Sequence, residues 1–198
     1  MARVGILGGT FNPPHVGHLI CAQEALVQLG LDRVVLMPVF EPPHKEIAND
    51  PGADVRLKLC VLATEDDDRI DVSDIEIERE GTSFTVDTLR ELRETAPEND
   101  LTLIVGADVA QGLSSWKEPE EVLSLARIAV TERAGVGHKS VIEAMGALAA
   151  SGQVDFFEMP RMDVSSSAVR QRLSHDEPVR YLLTDPVREE IERRGWYT

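Results

Sequence analysis

Residues 3–18 have the sequence RVGILGGTFNPPHVGH, a short apolar run followed by glycines, prolines and two histidines. A continuous apolar run of this length is typical of a strand buried on both faces of a sheet. From residue 19 to residue 29 apolar side chains recur at helical spacing, and Gly30 is a typical residue just beyond a helix C-terminus. The segment therefore predicts a strand, a glycine-rich turn and a helix.

The same alternation continues along the chain. Further strands are predicted at residues 34–37, 70–77, 101–105, 127–131 and 154–157, and further helices at 55–63, 86–92, 140–150, 166–173 and 186–193. Strands that alternate with helices indicate a parallel sheet built from βαβ units. We therefore predict a single α/β domain over residues 1–198, with a mostly parallel sheet, helices on both faces and a helical C-terminal end from residue 165.

The composition limits the kind of partner. Twenty basic against 35 acidic residues give a net charge of −15, and a field of that sign disfavours a nucleic-acid partner. It also repels nucleotides, so a nucleotide site would have to gather its cations locally. Cys21 and Cys60 match no metal or redox spacing, and we expect two small buried side chains.

The sequence shows neither a predicted membrane span nor a predicted signal peptide, and both observations concern where in the cell the protein is located. No apolar run approaches the roughly 18–20 residues that a membrane span needs. The N-terminal residues pass directly into the first predicted strand and lack the apolar core of a signal peptide. The expectation is a cytoplasmic protein without membrane contact.

His15 and His18 are the most informative polar residues. With Pro14 in the first helical turn, both imidazoles would lie in that turn, with Cβ atoms roughly 5–6 Å apart on one face. Helix N-termini favour anions, and Gly8 and Gly9 would let a ligand approach the backbone closely. Such a pair is often just two surface or core histidines, and zinc would need further ligands. The position after a glycine-rich strand end favours phosphate.

A second candidate anion site lies near the C-terminus. Ser165, Ser166 and Ser167 precede a predicted helix, and Arg170 lies about one turn into it. Serine is a strong N-cap residue, and the arginine fork suits phosphate oxygens. Taken alone, this is an ordinary capped helix.

Together these segments resemble the nucleotidyltransferase superfamily whose signature is (His/Thr)-x-Gly-His, in the form found in nicotinate-mononucleotide adenylyltransferases. Residues 8–18 carry that motif, with Asn12 where many members have Asp, and residues 165–170 resemble the Ser-Ser-x-x-(Ile/Val)-Arg segment. The resemblance spans nearly the whole chain. It implies a Rossmann-like fold and transfer of AMP from ATP to nicotinate mononucleotide, giving deamido-NAD and pyrophosphate in NAD biosynthesis.

The resemblance also implies roles for individual residues. The catalytic set would be His15, His18, Lys45 and Arg170. ATP would be bound by Gly8, Gly9, Thr10, Phe11, His15, His18, Ser165, Ser166 and Arg170. Nicotinate mononucleotide would be bound by Lys45, Thr85, Gly106, Asp108, Trp116 and Arg133. Mg²⁺ would accompany ATP on the pyrophosphate leaving group, with no protein carboxylate dedicated to it.

Other interpretations remain open. The acceptor could be nicotinamide mononucleotide or a different phosphate, such as phosphopantetheine or glycerol phosphate. A domain from another class could bind ATP or NAD as a sensor without catalysis, although a sensor has no reason to keep the full set of cationic residues. The oligomeric state is not readable from the sequence, and a homodimer stays open.

Overall fold

The computed structural model describes residues 1–43, 46–132 and 138–198. The described strands are β1 Arg3–Gly9, β2 Arg33–Pro38, β3 Ile70–Val72, β4 Asp100–Gly106, β5 Arg127–Glu132 and β6 Val154–Glu158. The described helices are α1 Val16–Leu29, α2 Ala53–Thr64, α3 Ile75–Arg79, α4 Thr85–Thr95, α5 Ala107–Gln111, α6 Pro119–Leu125, α7 His138–Met145, α8 Ser166–Ser174 and α9 Asp185–Arg194. Short 3₁₀ segments follow α5 and α7, at Leu113–Ser115 and Gly146–Ser151.

The six described strands form one sheet in the order β3-β2-β1-β4-β5-β6, and every neighbouring pair is parallel. In β1, Leu7 is opposite Leu36 on one side and Ile104 on the other. The chain leaves β1 in one direction for β2 and β3, then returns to place β4 on its other side. Such a reversal creates a crevice at the carboxyl ends of the central strands, where open α/β sheets bind ligands. The predicted α/β class and parallel sheet are confirmed.

Successive residues of a strand point to opposite faces of the sheet, and a hydrophobic core covers each face. Val4, Ile6 and Leu103 belong to a core that includes residues of α4, α6 and α7, whereas Leu7 and Leu36 belong to a second core that contains α1. Gly5 lies in β1. A Cβ atom at this position would come within 2.7 to 2.9 Å of three side chains, those of Leu31, Ile104 and Val34. A third cluster joins α2 to α8 and α9.

One strand prediction is wrong in its extent. Residues 70–77 alternate as a strand would, but only Ile70–Val72 pair with β2, and α3 begins at Ile75. Among the described strands, β3 is at the edge of the sheet and pairs only with β2, so little backbone pairing opposes a change of structure. Ser73 and Asp74 are residues that favour helix starts, and the carbonyl of Asp74 accepts the Ile77 N–H over 2.8 Å.

Two helix boundaries also differ from those predicted. α1 begins at Val16 with His15 as its N-cap residue, so Pro14 lies outside the first turn. The backbone N–H of Val16 donates to the carbonyl of Leu182 over 3.0 Å, which fixes this start. The predicted helix over 140–150 begins at His138 and ends at Met145, where Gly146, with φ of 55°, interrupts it.

Candidate active site

The two motif histidines form one unit at the start of α1. His15 is the N-cap residue and is 6% exposed, and its backbone N–H donates to Nδ1 of His18 over 3.1 Å. The rings are stacked, with centroids 3.7 Å apart. Because Nδ1 of His18 accepts a hydrogen bond, a neutral His18 ring carries its proton on Nε2. The expectation that both histidines lie inside the first turn is thus corrected for His15.

Packing at Gly17 and at Phe11 holds the rings of His15 and His18 in place. At Gly17 a Cβ atom would lie 2.9 Å from Val164 and 3.1 Å from the His15 ring, so only glycine fits without moving either side chain. Phe11 is 1% exposed, and its ring contacts that of His18 edge-on at 4.9 Å. Phe11 has a φ of 46°, which is strained for an aromatic residue. Its buried ring therefore supports His18, and the contact of Phe11 with ATP that the resemblance implies stays a prediction.

The serine-arginine segment, residues 165–170, lies against the histidine motif at residues 8–18. Arg170 donates to the carbonyl of Asn12 over 2.7 Å, and Ser166 Oγ donates to the carbonyl of Pro13 over 2.8 Å. Ser165 caps α8, with its Oγ accepting the Ala168 N–H over 3.2 Å. The two candidate anion segments, which are separated by about 150 residues in the chain, are therefore parts of one site.

A buried arginine that the sequence reasoning missed ties this region together. Arg56 is completely buried and donates to the carbonyls of Thr10 (3.0 Å), Val39 (2.7 Å) and Phe40 (3.0 Å) and to Oδ1 of Asp50 (3.0 Å). It thereby joins the loop after β1 to both ends of the loop between β2 and α2. A signal was present, because Arg56 stands on the apolar face of a predicted helix, where an unpaired charge would be costly.

Asn12, the position of the departure from the family's Asp, has a structural role. Its side chain is 1% exposed, and Nδ2 donates to the carbonyl of Ala48 over 2.9 Å. An ionised Asp has no proton to donate there. The amide thus joins the histidine motif to the long loop before α2.

A cavity of about 290 Å³ lies beside the motif, at the carboxyl ends of β1 and β4. Of the predicted ligand residues it brings together Gly8, Gly9, Thr10, Thr85, Gly106 and Trp116. A Cβ atom at Gly8 or Gly106 would meet no atom of the described residues within 4 Å, which leaves room beside the backbone at both strand ends. The sequence argument therefore located this crevice correctly.

The start of α4 also lines the cavity. Thr85 is the first residue of this helix, and its N-cap residue, Phe84, supplies no side-chain cap. The positive end of a helix favours an anion at this position. Lys117 adds a cation: its Nζ lies 4.9 Å from the centre of the Phe84 ring and 2.8 Å from an Asp87 oxygen.

Glu76, also missed, is the acidic residue on the cavity wall. It is 6% exposed, and its Oε1 accepts the hydroxyl proton of Thr88 over 2.7 Å. Burial raises the pKa of this carboxyl group from its ordinary 4.5, and hydrogen bonds from Thr88 and Ser83 and the charge of Arg79 oppose the rise. The sequence gives no sign of this environment. Glu76 stands beside two other glutamates, Glu78 and Glu80, and these are exposed.

The remaining predicted residues divide into two groups. Asp108 is exposed and is not among the residues that line the cavity, so its contact with the acceptor stays a prediction. Lys45 and Arg133 lie outside the described residues. Within the described ranges, no group of three or more His, Cys, Asp or Glu side chains is arranged to hold a metal ion.

Comparisons with known proteins show which family the chain resembles along its length. Residues 6–172 match the family model described as cytidylyltransferase-like. A relative from Shouchella clausii, named a nicotinate-nucleotide adenylyltransferase, is 38% identical over 197 residues, which cover 100% of this chain and 97% of the relative. One of the same name from Tropheryma whipplei is 39% identical over 191 residues, covering 96% and 97% of the two chains.

The fold is shared with solved structures. The nicotinic acid mononucleotide adenylyltransferase of Plasmodium falciparum, solved in complex with NaAD, superposes with a TM-score of 0.80 at 16% identity, covering 100% of this chain and 98% of that one. Its complex with APC gives a TM-score of 0.79. Among the described residues, no helix combines the length and the apolar character that crossing a membrane requires.

Proposed function

Since this chain belongs to the nicotinate-nucleotide adenylyltransferase family, we propose that it transfers AMP from ATP to nicotinate mononucleotide, with deamido-NAD and pyrophosphate as products. The observation that carries the proposal is that one loop joins the cavity to the histidine motif. Gly8, Gly9 and Thr10 line the cavity, and the same loop continues into the histidine motif that Arg170 contacts. An acceptor ring in the cavity would thus have its phosphate near the residues proposed for ATP.

The proposed reaction is a direct displacement. A phosphate oxygen of the acceptor attacks the α-phosphorus of ATP, the bond from that phosphorus to the bridging oxygen of the β-phosphate breaks, and pyrophosphate leaves. Phosphoryl-type transfer requires mainly positioning and charge stabilisation, so the protein needs hydrogen-bond donors and not a nucleophile. We assign this role to His15, His18 and Arg170, and to Lys45 by the family resemblance.

The acceptor ring is assigned to the cavity. Trp116 is half-buried on its wall and offers a flat surface for stacking. The ring carboxylate would face the N-terminus of α4 at Thr85, and Gly106 leaves open space for the ring beside β4. The positive helix end is the physical basis for an acid in preference to an amide.

The nucleotide substrate is assigned as MgATP. Because the described residues offer no cluster of metal ligands, phosphate oxygens and water would coordinate the ion, which suits the preference of Mg²⁺ for oxygen and retained water. The chain's own part is to bind the phosphates around the ion.

The test is pyrophosphate release from ATP, with nicotinate mononucleotide, with nicotinamide mononucleotide and without acceptor. The proposal expects release that requires an acceptor and is faster with the acid. A sensor would bind ATP or NAD and release no pyrophosphate with either acceptor, and this outcome would replace the proposed function.

A further inference from the structure

Trp116, on the cavity wall, lies in a short connection between two helical segments. The 3₁₀ segment Leu113–Ser115 comes directly before it, and α6 begins at Pro119. Lys117 and Glu118 complete the connection, and Lys117 also lines the cavity. Because the connection is so short, the backbone conformation of Glu118 helps to determine where the indole ring of Trp116 lies.

The backbone of Glu118 has a conformation that glutamate rarely adopts. Its φ of 51° and ψ of 58° lie in the left-handed region, which costs free energy for a residue with a Cβ atom. Glu118 also precedes Pro119, and a residue before proline favours an extended conformation. Backbone strain of this kind persists only where the surrounding structure holds it, and it is frequent at functional sites.

Side chains of α4 hold this connection through ion pairs. Arg90 pairs with Asp87 of its own helix over 3.0 Å, and with Glu118 and Glu121 at the start of α6. Nε and Nη2 of Arg90 donate to the two different oxygens of Glu121, the two-point geometry that suits a guanidinium group. Lys117 pairs with Asp87 over 2.8 Å. We call these five residues the Arg90 network.

The Arg90 network differs from an ordinary surface ion pair. An isolated exposed pair contributes little to stability, whereas a two-point arginine contact within a set of linked charges contributes more. Burial raises the pKa of Asp87, but hydrogen bonds and charges of Lys117 and Arg90 outweigh it and leave this pKa below its ordinary 3.8. Asp87 is therefore ionised at neutral pH. The network thus fastens to α4 the two residues that follow Trp116.

We propose that Arg90 is a positioning residue for the acceptor, because the Arg90 network holds the bend at Glu118 and thereby fixes Trp116 against the cavity. This inference rests on the proposed function, which places the acceptor ring on Trp116. Arg90 itself is not among the residues that line the cavity, so its effect on the acceptor passes through Trp116. Without the network, Glu118 would relax toward an extended conformation and the indole ring would leave its place on the wall.

The first experiment measures steady-state kinetics for the wild type and for Arg90→Met, in which the side chain keeps its apolar length and loses its charge. KM for nicotinate mononucleotide should rise by about two- to tenfold, the range that one lost aromatic contact gives. KM for ATP should be unchanged, because ATP is assigned to the histidine motif and Arg170.

The matched control is Arg188→Met. Arg188 also pairs with three carboxylates, those of Asp185, Glu189 and Glu192. It lies in α9, and no residue of that helix is among those that line the cavity. Arg188→Met should therefore leave both KM values unchanged. An equal rise of KM for the acceptor in Arg90→Met and Arg188→Met would overturn the proposal.

A double-mutant cycle separates positioning from a direct effect of charge. Loss of the Arg90 charge would by itself weaken binding of an anionic acceptor, and that effect would persist in a protein without the indole ring. If Arg90 acts through Trp116, Arg90→Met should raise KM for the acceptor in the wild type and cause no further rise in Trp116→Ala. Equal rises in the two backgrounds would overturn the proposal.

A second measurement needs no turnover. The chain has two tryptophans, so the tryptophan emission of Trp196→Phe comes from Trp116 alone. In this background Arg90→Met should increase quenching of the emission by acrylamide, since a loosened ring is more exposed, and Arg188→Met should not. Glu118→Gln breaks the same ion pair from the other side and should also increase the quenching. Thermal unfolding of each variant checks that it is folded.

The outcomes separate this proposal from the proposed function. If neither acceptor supports pyrophosphate release, the proposed function fails, and the quenching still decides whether Arg90 positions Trp116. If release is normal, an unchanged KM for the acceptor or unchanged quenching in Arg90→Met overturns the role of Arg90. If Arg90→Met does not fold, Glu118→Gln takes its place in both measurements and decides in the same way.

Discussion

The backbone N–H of His15 donates to Nδ1 of His18 over 3.1 Å, while the two rings stack 3.7 Å apart. The bond leaves Nε2 as the position of the proton on a neutral His18 ring. The N-cap geometry of His15 thus determines which nitrogen of His18 serves as a donor. A sequence motif of two histidines becomes, in three dimensions, one oriented donor that a second ring holds in place.

Replacement of His18 tests this donor. His18→Ala should lower kcat by at least about a hundredfold, the scale of losing one donor to the transition state. Steady-state pyrophosphate release measures it. His175→Ala is the matched control, because this histidine is exposed on the short turn after α8. Near wild-type turnover in His18→Ala would show that the pair does not act on the phosphates.

Replacement of Arg56 tests the connection between the loops. Arg56→Met should lower the free energy of unfolding by about 3 kcal/mol or more, because Asp50 and three backbone carbonyls lose their buried donor. Chemical denaturation gives the value. Arg69→Met removes an exposed pair with Asp67, so its loss of stability should be much smaller. Equal losses in the two variants would contradict the assigned role of Arg56.

Acid stability depends on Glu190 in α9. Hydrogen bonds from Arg193 and Lys58 lower its pKa from 4.5 to about 2. A lowered folded-state pKa gives stability that is present above the unfolded value and is lost as pH falls toward the folded one. The wild-type melting temperature should therefore fall between pH 4.5 and about pH 2 more steeply than that of Glu190→Gln.

The control for this effect is Glu189→Gln, a change at the exposed neighbouring residue of the same helix. Its melting temperature should follow that of the wild type across the same window. If Glu190→Gln and the wild type lose stability in parallel, the contacts of Glu190 with Arg193 and Lys58 do not stabilise the protein in solution.

The sequence predicted the regular parts of the fold because they depend on local patterns. Apolar runs and helical spacing located the strands and most helices, and the glycines placed the crevice at the ends of β1 and β4. The prediction failed at residues 75–77, where an edge strand gives way to α3. Alternation alone cannot show that a strand lacks a second neighbour.

The site was predicted in part for a related reason. Gly8, Thr85 and Trp116 were found because they belong to contiguous motifs, and the structure places all three on one cavity. Arg56 and Glu76 act through partners far away in the chain or on another element, and such pairing leaves little trace in a linear sequence. Asp108 lies inside a matching segment and is exposed, so its role stays a prediction.

The most direct measurement is the rate of pyrophosphate release from MgATP by the wild-type chain, with nicotinate mononucleotide and with nicotinamide mononucleotide as separate acceptors. The positive end of α4 at Thr85 predicts a higher kcat/KM for the acid at neutral pH. Equal values of kcat/KM for the two acceptors would contradict the acid-specific function.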